Sequence, residues 1–146
     1  MLGRSEIQAL IPHSGDMCLL SGVTHWDATH IACTAQSHRN ANNPLAHQGK
    51  LSALNGIEFA AQAMAVHGGL TGAVSERPRA GLLVSVRDVE ARVKYLSDYA
   101  EDLQIEAEQL MAGGNSVTYS FRISAGAQEL LSGRAMVVLD AEEITS

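Results

Sequence analysis

Apolar residues recur at every second position through most of the second half of the chain. The alternation is regular in three segments, residues 88–95, 103–110 and 116–124. A period of two is typical of strands that bury one face. Glycine-containing stretches at 112–115 and 124–128 separate these segments and predict hairpin turns. The chain is predicted to close with a further strand at 132–140.

The first half of the chain predicts two more strands and a long polar loop. The strands are expected in residues 17–27 and 30–38, after a turn at 12–16. The loop "HRNANNPLAHQGK" follows them. Pro44 in this loop is incompatible with a helix interior or a central strand.

The spacing of apolar residues then changes in "GKLSALNGIEFAAQAMAVHGG", and this stretch predicts a helix. Ser52 is a good N-cap for it, and Gly68 and Gly69 are expected to end it after His67. The order is strand, strand, helix and four strands. This order predicts an α+β domain in which one long helix lies against one antiparallel sheet.

The predicted helix lacks the charged outer face of a surface helix. No Lys or Arg lies between Leu51 and His67, and the polar residues form one narrow stripe of Ser52, Asn55, Glu58 and Gln62. We therefore expect protein to cover the helix on most sides, either from a curved sheet or from a second subunit. Glu58 either marks a thin solvent-facing strip or is buried beside Gln62, one turn later. A buried carboxyl group retains its proton more readily and can serve as a general acid.

Composition limits the class of protein. A chain of 146 residues fits a single domain, residues 1–146, and no apolar run is long enough to span a bilayer. A net charge of −6 argues against nucleic acid as a partner. Cys18 and Cys33 lack the spacing of a metal site and suit a reducing compartment. We expect a cytoplasmic protein that contains no metal.

Four stretches resemble the hotdog-fold beta-hydroxyacyl-acyl-carrier-protein dehydratases. They are "LIPHSGDMCLLSGV", "GIEFAAQAM" with the helix motif E-x-x-x-Q at Glu58 and Gln62, "EDLQIEAEQL" and "ELLSGRAMVVL". Within that family the chain looks closest to the divergent branch of aryl-polyene-type clusters. The resemblance implies a central helix wrapped by a six-stranded antiparallel sheet. It also implies edge-to-edge assembly into a homodimer or hexamer, or a heterocomplex with a sister dehydratase.

The resemblance further implies the loss of water from a 3-hydroxyacyl thioester to give a trans-2-enoyl thioester. A histidine would remove the α-proton, and Glu58 would protonate the leaving hydroxyl group across the subunit interface. Backbone N–H groups at the helix start would hold the thioester oxygen. The candidate substrate-binding residues are Gln62, Asn55 and Gly56, of which Gly56 would let the acyl chain approach. No cofactor is expected beyond the phosphopantetheine of an acyl carrier protein, or CoA, that carries the substrate.

The histidine itself is ambiguous. The family motif H-x-x-x-N-P places it fourteen residues before the carboxylate, where this chain has Pro44. His38 precedes an Asn-Pro pair and is slightly favoured, while His47 lies closer to the helix and is a near-equal candidate. The other histidines are expected to be structural: His13 in a turn, His25 and His30 at the surface, and His67 as a cation at the helix end.

Three other functions stay open. The chain is also compatible with an inactive or weakly active partner of a true dehydratase, a hotdog acyl thioesterase, or a module that only holds carrier-bound acyl groups. The H-G-G motif of such thioesterases opens the helix, whereas His67, Gly68 and Gly69 follow it here. An acidic carrier would need a local basic patch, for which the candidates are Arg77, Arg79, Arg87, Arg92 and Lys94.

Overall fold

A single antiparallel sheet curves around one long helix in the computed structural model, which describes residues 2–11, 15–71, 81–113 and 116–139. The helices are α1 (Arg4–Leu10) and α2 (Gly56–Thr71). The strands are β1 (Leu2–Gly3), β2 (Gly22–Trp26), β3 (His30–Ala35), β4 (Gly81–Ala91), β5 (Leu103–Gly113), β6 (Ser116–Ala125) and β7 (Gln128–Leu139). Their order across the sheet is β1-β2-β3-β5-β6-β7-β4.

The predicted α+β architecture is confirmed, with seven strands in the described part of the chain instead of six. The extra strand is β1, two residues that pair with β2 and lead directly into α1. Neither element was predicted, because two residues are too few to show an alternation. Residues 17–21, expected to begin a strand, instead follow a single 3-10 turn and connect it to β2.

β4 begins and ends earlier than the alternation indicated. It ends at Ala91, so residues 92–95 lie beyond it, and it begins seven residues before the predicted start. The register with β7 shifts between Arg87 and Glu90, where Asp88 has a φ of 55°. This bulge inserts an unpaired residue and shifts the faces of the strand, which a simple period of two does not reveal. β5 and β6 begin where predicted, and β5 extends three residues and β6 one residue beyond the predicted ends.

The central helix begins as predicted and ends later. The Oγ of Ser52 accepts a hydrogen bond from the N–H of Leu54, which caps a 3-10 turn that leads into α2. The helix continues through Gly68 and Gly69 to Thr71. A Cβ at Gly69 would stand 3.3 Å from a methyl group of Leu10. The glycine therefore lets α1 pack closely on α2 and does not end the helix.

The core lies between α2 and the inward faces of the strands. Ten of the sixteen residues of α2 are buried, a proportion that confirms the expected wrapping of the helix. Opposite them, the buried positions of β6 alternate along the strand: Val117, Tyr119, Phe121, Ile123 and Ala125.

Gly56 belongs to this core. A Cβ at this position would lie 2.6 Å from Cδ2 of Leu131 and 2.8 Å from Cδ1 of Ile123, both on the inner face of the sheet. In the direction that a side chain would take, the space at Gly56 is therefore filled by the protein itself, and its role in admitting an acyl chain stays a prediction. Its lack of a side chain lets the helix start rest on β6 and β7.

The substitution Gly56→Ala tests this packing role. Overpacking at two buried methyl groups costs about 1–3 kcal/mol, and the better helix propensity of Ala returns about 1 kcal/mol. We expect a net loss of about 1 kcal/mol in the free energy of unfolding, measured by urea denaturation.

The loss should shrink in an Ile123→Val background, which removes one of the two clashing methyl groups. Gly113→Ala is the control, since no atom lies within 4 Å of its added Cβ. A Gly56→Ala variant of unchanged stability that turns over its acyl substrate more slowly would restore the acyl-chain assignment.

Candidate active site

One face of α2 and of the turn before it is left uncovered by the residues that the structure describes. We call its positions the open stripe, because helical spacings of three or four residues relate them to one another: Leu54, Ile57, Glu58, Ala61 and Ala65. Leu54 and Glu58 are exposed, and the other three are half-buried. Four of the five side chains are apolar, so Glu58 is the single charged group of this surface.

Glu58 is exposed in the part of the chain that the structure describes. Its carboxylate has no hydrogen-bond or ion-pair partner among those residues, and it points away from the core. Within them, Glu58 fits the first of the two predictions for it, a thin solvent-facing strip. Burial of this acid therefore requires a surface beyond the described residues.

Gln62 lies on the same side of α2 but holds protein instead of substrate. Its Oε1 accepts a hydrogen bond from the N–H of Leu19 at 2.9 Å, and its Nε2 donates to the carbonyl of Met17 at 2.7 Å. The side chain is only 3% exposed. The amide is directed toward residues 17–19, no hydrogen bond joins it to Glu58 among the described residues, and the interaction with Glu58 stays a prediction. This clamp fixes residues 17–19 beside the open stripe.

A second tether lies one turn on the other side of Glu58. Asn55, a predicted substrate contact, is half-buried, and its Nδ2 donates to the carbonyl of Leu45 at 3.4 Å. Asn43 orders the same loop, because its Nδ2 donates to the carbonyl of Ser37 and its Oδ1 accepts from the N–H of Leu45, both at 2.9 Å. The loop is thereby held at the start of α2. Glu58 lies between this loop and residues 17–19.

The two candidate bases have opposite environments. The imidazole of His38 is 2% exposed, and its Nε2 donates to the carbonyl of Tyr99 at 3.0 Å. Its Nδ1 is buried and has no partner among the described residues, and desolvation lowers the pKa of His38. His47 is exposed and opens a tight turn that closes on Lys50 through two backbone hydrogen bonds. Within one chain, neither imidazole is hydrogen-bonded to Glu58 in the part that the structure describes.

His67 is a buried, hydrogen-bonded side chain and not a cation at the helix end. Its Nδ1 lies 2.7 Å from Oη of Tyr119, and its Nε2 lies 2.9 Å from the carbonyl oxygen of Asp27. A carbonyl only accepts, so Nε2 carries the proton and Nδ1 accepts from the tyrosine. Burial lowers the pKa of His67 and raises that of Tyr119 to about 12. The neutral pair joins α2 to β6 and to the turn between β2 and β3.

Of the predicted basic patch, Arg92 is neutralised by ion pairs with Glu90 and Glu129, and Arg87 lies on β4. Arg77 and Arg79 lie outside the described residues, as does His13, so the patch as a whole stays a prediction. His25 is exposed, as expected, and His30 is half-buried.

The described ranges contain no group of three or more side chains that could hold a metal ion. None of the helices found there has the length and apolar character needed to cross a bilayer.

Comparison with known proteins identifies relatives of this architecture. The family described as ApeP dehydratase matches residues 5–145. Among solved structures, a chain of the dehydratase heterocomplex ApeI:P from Xenorhabdus doucetiae has a TM-score of 0.82 and 25% sequence identity, with 95% of each chain covered. None of the curated proteins matches the sequence.

More distant structures share the fold alone. Zebra fish thioesterase superfamily member 2 has a TM-score of 0.64 and 15% identity, covering 93% of this chain and 94% of that one. A hypothetical thioesterase from Streptococcus pneumoniae TIGR4, solved with coenzyme A, has a TM-score of 0.61 and 12% identity, covering 80% and 86%. Together these neighbours confirm the hotdog fold.

The Gln62 clamp is tested by Gln62→Leu, which keeps the approximate size of the side chain. The substitution leaves the buried N–H of Leu19 without a partner, which costs about 1–3 kcal/mol, whereas the carbonyl of exposed Met17 can bond to water. We expect the free energy of unfolding to fall by about 1–3 kcal/mol in urea denaturation.

Gln36→Leu is the matched control, because Gln36 is exposed and its side chain makes one long bond to Asp102. Its effect should stay within about 0.5 kcal/mol. A Gln62→Leu protein as stable as the wild type, but with a raised KM, would return Gln62 to the substrate site.

The buried histidines predict a stability that depends on pH. In the folded chain, burial lowers the pKa of His38 and of His67. In the unfolded chain both side chains have the ordinary pKa of about 6.5. Below that pH the unfolded chain binds protons that the folded chain does not. The stability they contribute is therefore present above about pH 6.5 and declines as the pH falls through the window below it. We expect the urea midpoint to be lower at pH 5.5 than at pH 7.5.

His67→Gln removes one of the two titrating groups and should flatten this dependence. Ring-proton NMR titration of the wild type provides the same information without a variant, since both imidazoles should remain neutral below the ordinary pKa. A midpoint that is unchanged between the two pH values would contradict the neutral, buried assignment.

Proposed function

The chain belongs to the ApeP-like dehydratase family, and we propose that its substrate is a 3-hydroxyacyl thioester carried on the phosphopantetheine arm of an acyl carrier protein. The product would be the trans-2-enoyl thioester and water. The observation that carries this proposal is the open stripe, an apolar surface with one carboxyl group in it. Such a surface suits an acyl chain along its apolar residues and a proton donor at Glu58.

The chemistry requires two groups. A base removes the α-proton, the released electron pair forms the carbon–carbon double bond, and the hydroxyl group leaves as the carboxyl group of Glu58 donates its proton. An acid surrounded by water at neutral pH has lost that proton, but one covered by an apolar surface retains it more readily. The proposal therefore depends on a covering surface over the open stripe.

We propose that a sister dehydratase subunit supplies this cover. The relative from Xenorhabdus doucetiae is a heterocomplex of two dehydratase chains, which supports a mixed assembly over a homodimer. β4 is an edge of the sheet and pairs only with β7 in the described part of the chain, so its outer edge offers backbone groups to another strand. Edge pairing would place two hotdog units side by side.

Of the two histidines, we propose His47 as the base. His38 is enclosed, and Nδ1, the ring nitrogen that would accept a proton, is buried. The ring of His47 is exposed, and its loop is tethered to Asn55 at the start of the open stripe. A base must come within hydrogen-bond reach of the substrate proton, and an exposed imidazole on this loop meets that condition more readily.

The decisive experiment uses the chain purified together with its partner subunit. Enoyl thioester formation is followed on a carrier-bound 3-hydroxyacyl substrate by wild type and by Glu58→Gln. Loss of a general acid reduces the rate by about 10²–10⁴-fold, and we expect kcat to fall in this range. Glu108→Gln, at an exposed position on the outer face of β5, is the matched control and should retain full activity.

Two further variants assign the base, since His47→Ala should abolish activity while His38→Ala should act mainly on stability. Cleavage of the thioester by the wild-type complex, without enoyl formation, would instead indicate a thioesterase. Full dehydration by the Glu58→Gln complex would show that this subunit is a non-catalytic partner.

A further inference from the structure

Both lysines of the chain meet at one aromatic ring. The sequence contains only Lys50 and Lys94, 44 positions apart. The ammonium group of Lys50 lies 5.0 Å from the centroid of the Tyr95 ring, and that of Lys94 lies 5.6 Å from it. We call these three residues the lysine cluster.

Backbone pairing brings the cluster together. The N–H of Leu96 donates to the carbonyl of Leu51 at 2.8 Å, and the N–H of Ala53 donates to the carbonyl of Lys94 at 3.0 Å. Ser52 and Tyr95 form the bridge between these two bonds. Because this pairing is between main-chain atoms, the fold itself holds the segments that carry the two lysines and the tyrosine side by side.

The charge of the cluster is not neutralised within the described part of the chain. Neither ammonium group has a carboxylate there at ion-pair distance, whereas three arginines do: Arg39, Arg92 and Arg122. The ring attracts both cations, but they also repel each other. On a chain of net charge −6, the cluster is a local positive site that an approaching anion would stabilise.

The cluster adjoins the open stripe. Lys50 precedes the cap Ser52 by two residues, and exposed Leu54 follows the cap. Glu58 lies four residues after Leu54, a rise of about 6 Å along a helix. A partner bound at the cluster would therefore stand at one end of the surface that carries the candidate acid.

We propose that the lysine cluster is the docking point for the acidic surface of the carrier protein that delivers the thioester. This inference rests on the proposed function and assigns its partner contact. Charge complementarity favours an acidic protein, and continuity with the open stripe places that protein where its arm could enter the site. Arg134 offers a comparison, since it is exposed on β7 next to buried Ala135 and so faces outward from the sheet, away from α2.

The kinetic test compares carrier-bound, CoA-bound and free pantetheine-bound forms of the same acyl substrate, with the chain in complex with its partner subunit. In the double variant Lys50→Glu, Lys94→Glu, we expect the kcat/KM ratio of carrier-bound to pantetheine-bound substrate to fall at least tenfold at low salt. The deficit should shrink as salt increases, because added ions screen exposed charges. Arg134→Glu, an equal change of charge, should leave the ratio unaltered.

Three outcomes would overturn the proposal. An unaltered ratio would remove the docking role while leaving dehydration intact. An equal loss on all substrates would mean that the lysines support the active site itself. A loss on the CoA substrate as large as that on the carrier would assign the cluster to a phosphate group instead of the carrier surface.

A second measurement does not depend on turnover. Carbodiimide coupling joins carboxylates to amines without a spacer, and mass spectrometry identifies the joined peptides. We expect the carrier to couple to Lys50 or Lys94, and the double variant Lys50→Arg, Lys94→Arg to lose coupling while retaining the charge and the kcat/KM ratio. Coupling of the carrier only to other positions would overturn the proposal. Coupling at the lysines in a complex that dehydrates nothing would uphold docking and reject the proposed reaction.

Discussion

The near-absence of charge on α2, where Glu58 is the single acidic residue and no Lys or Arg occurs, is the constraint on which the rest of the structure depends. A helix composed of Ala, Gly, Ile, Met and Phe loses free energy wherever it faces water, so the sheet must curve around it. Glycines at two positions, Gly56 and Gly69, allow β6, β7 and α1 to approach its axis closely. The sheet and α1 together still leave one strip of the helix uncovered.

In the proposed function, that strip carries the group that donates the proton. An acid within an apolar surface is unfavourable to cover unless it keeps its proton or finds a partner, and a dehydratase needs a proton donor shielded from water. Two tethered segments frame the acid: residues 17–19, held by Gln62, and the loop held by Asn55. The chain thus contributes the helix surface that carries the acid and the two segments beside it. In the proposed function, a neighbouring subunit covers this surface.

Much of the architecture follows from sequence because it rests on local periodicity. β6 buries one face throughout and β5 does so in its first half, so both strands begin where the alternation begins. β4 was shifted because a bulge at Asp88 breaks the period, and the end of α2 was missed because Gly68 and Gly69 are held by packing from outside the helix.

The site was less predictable, because its contacts join distant segments. The spacing of Glu58 and Gln62 identified the face of the helix but not the partner of the amide, which lies more than forty residues earlier. His67 fits the pattern of a helix end, yet Tyr119, fifty-two residues later, makes it part of the core. The convergence of Lys50 and Lys94 on one ring likewise depends on a backbone pairing that no local pattern reveals.

The attachment of the N-terminal segment has a consequence for how related chains diverge. α1 rests on Gly69 near the end of the central helix, while residues 17–19 are bonded to Gln62 two turns earlier. α1, residues 17–19 and the central helix are therefore packed together as one unit. A chimera that exchanged this segment for that of a sister subunit would displace Met17 at the rim of the site, and it would be accommodated only if the helix were exchanged with it.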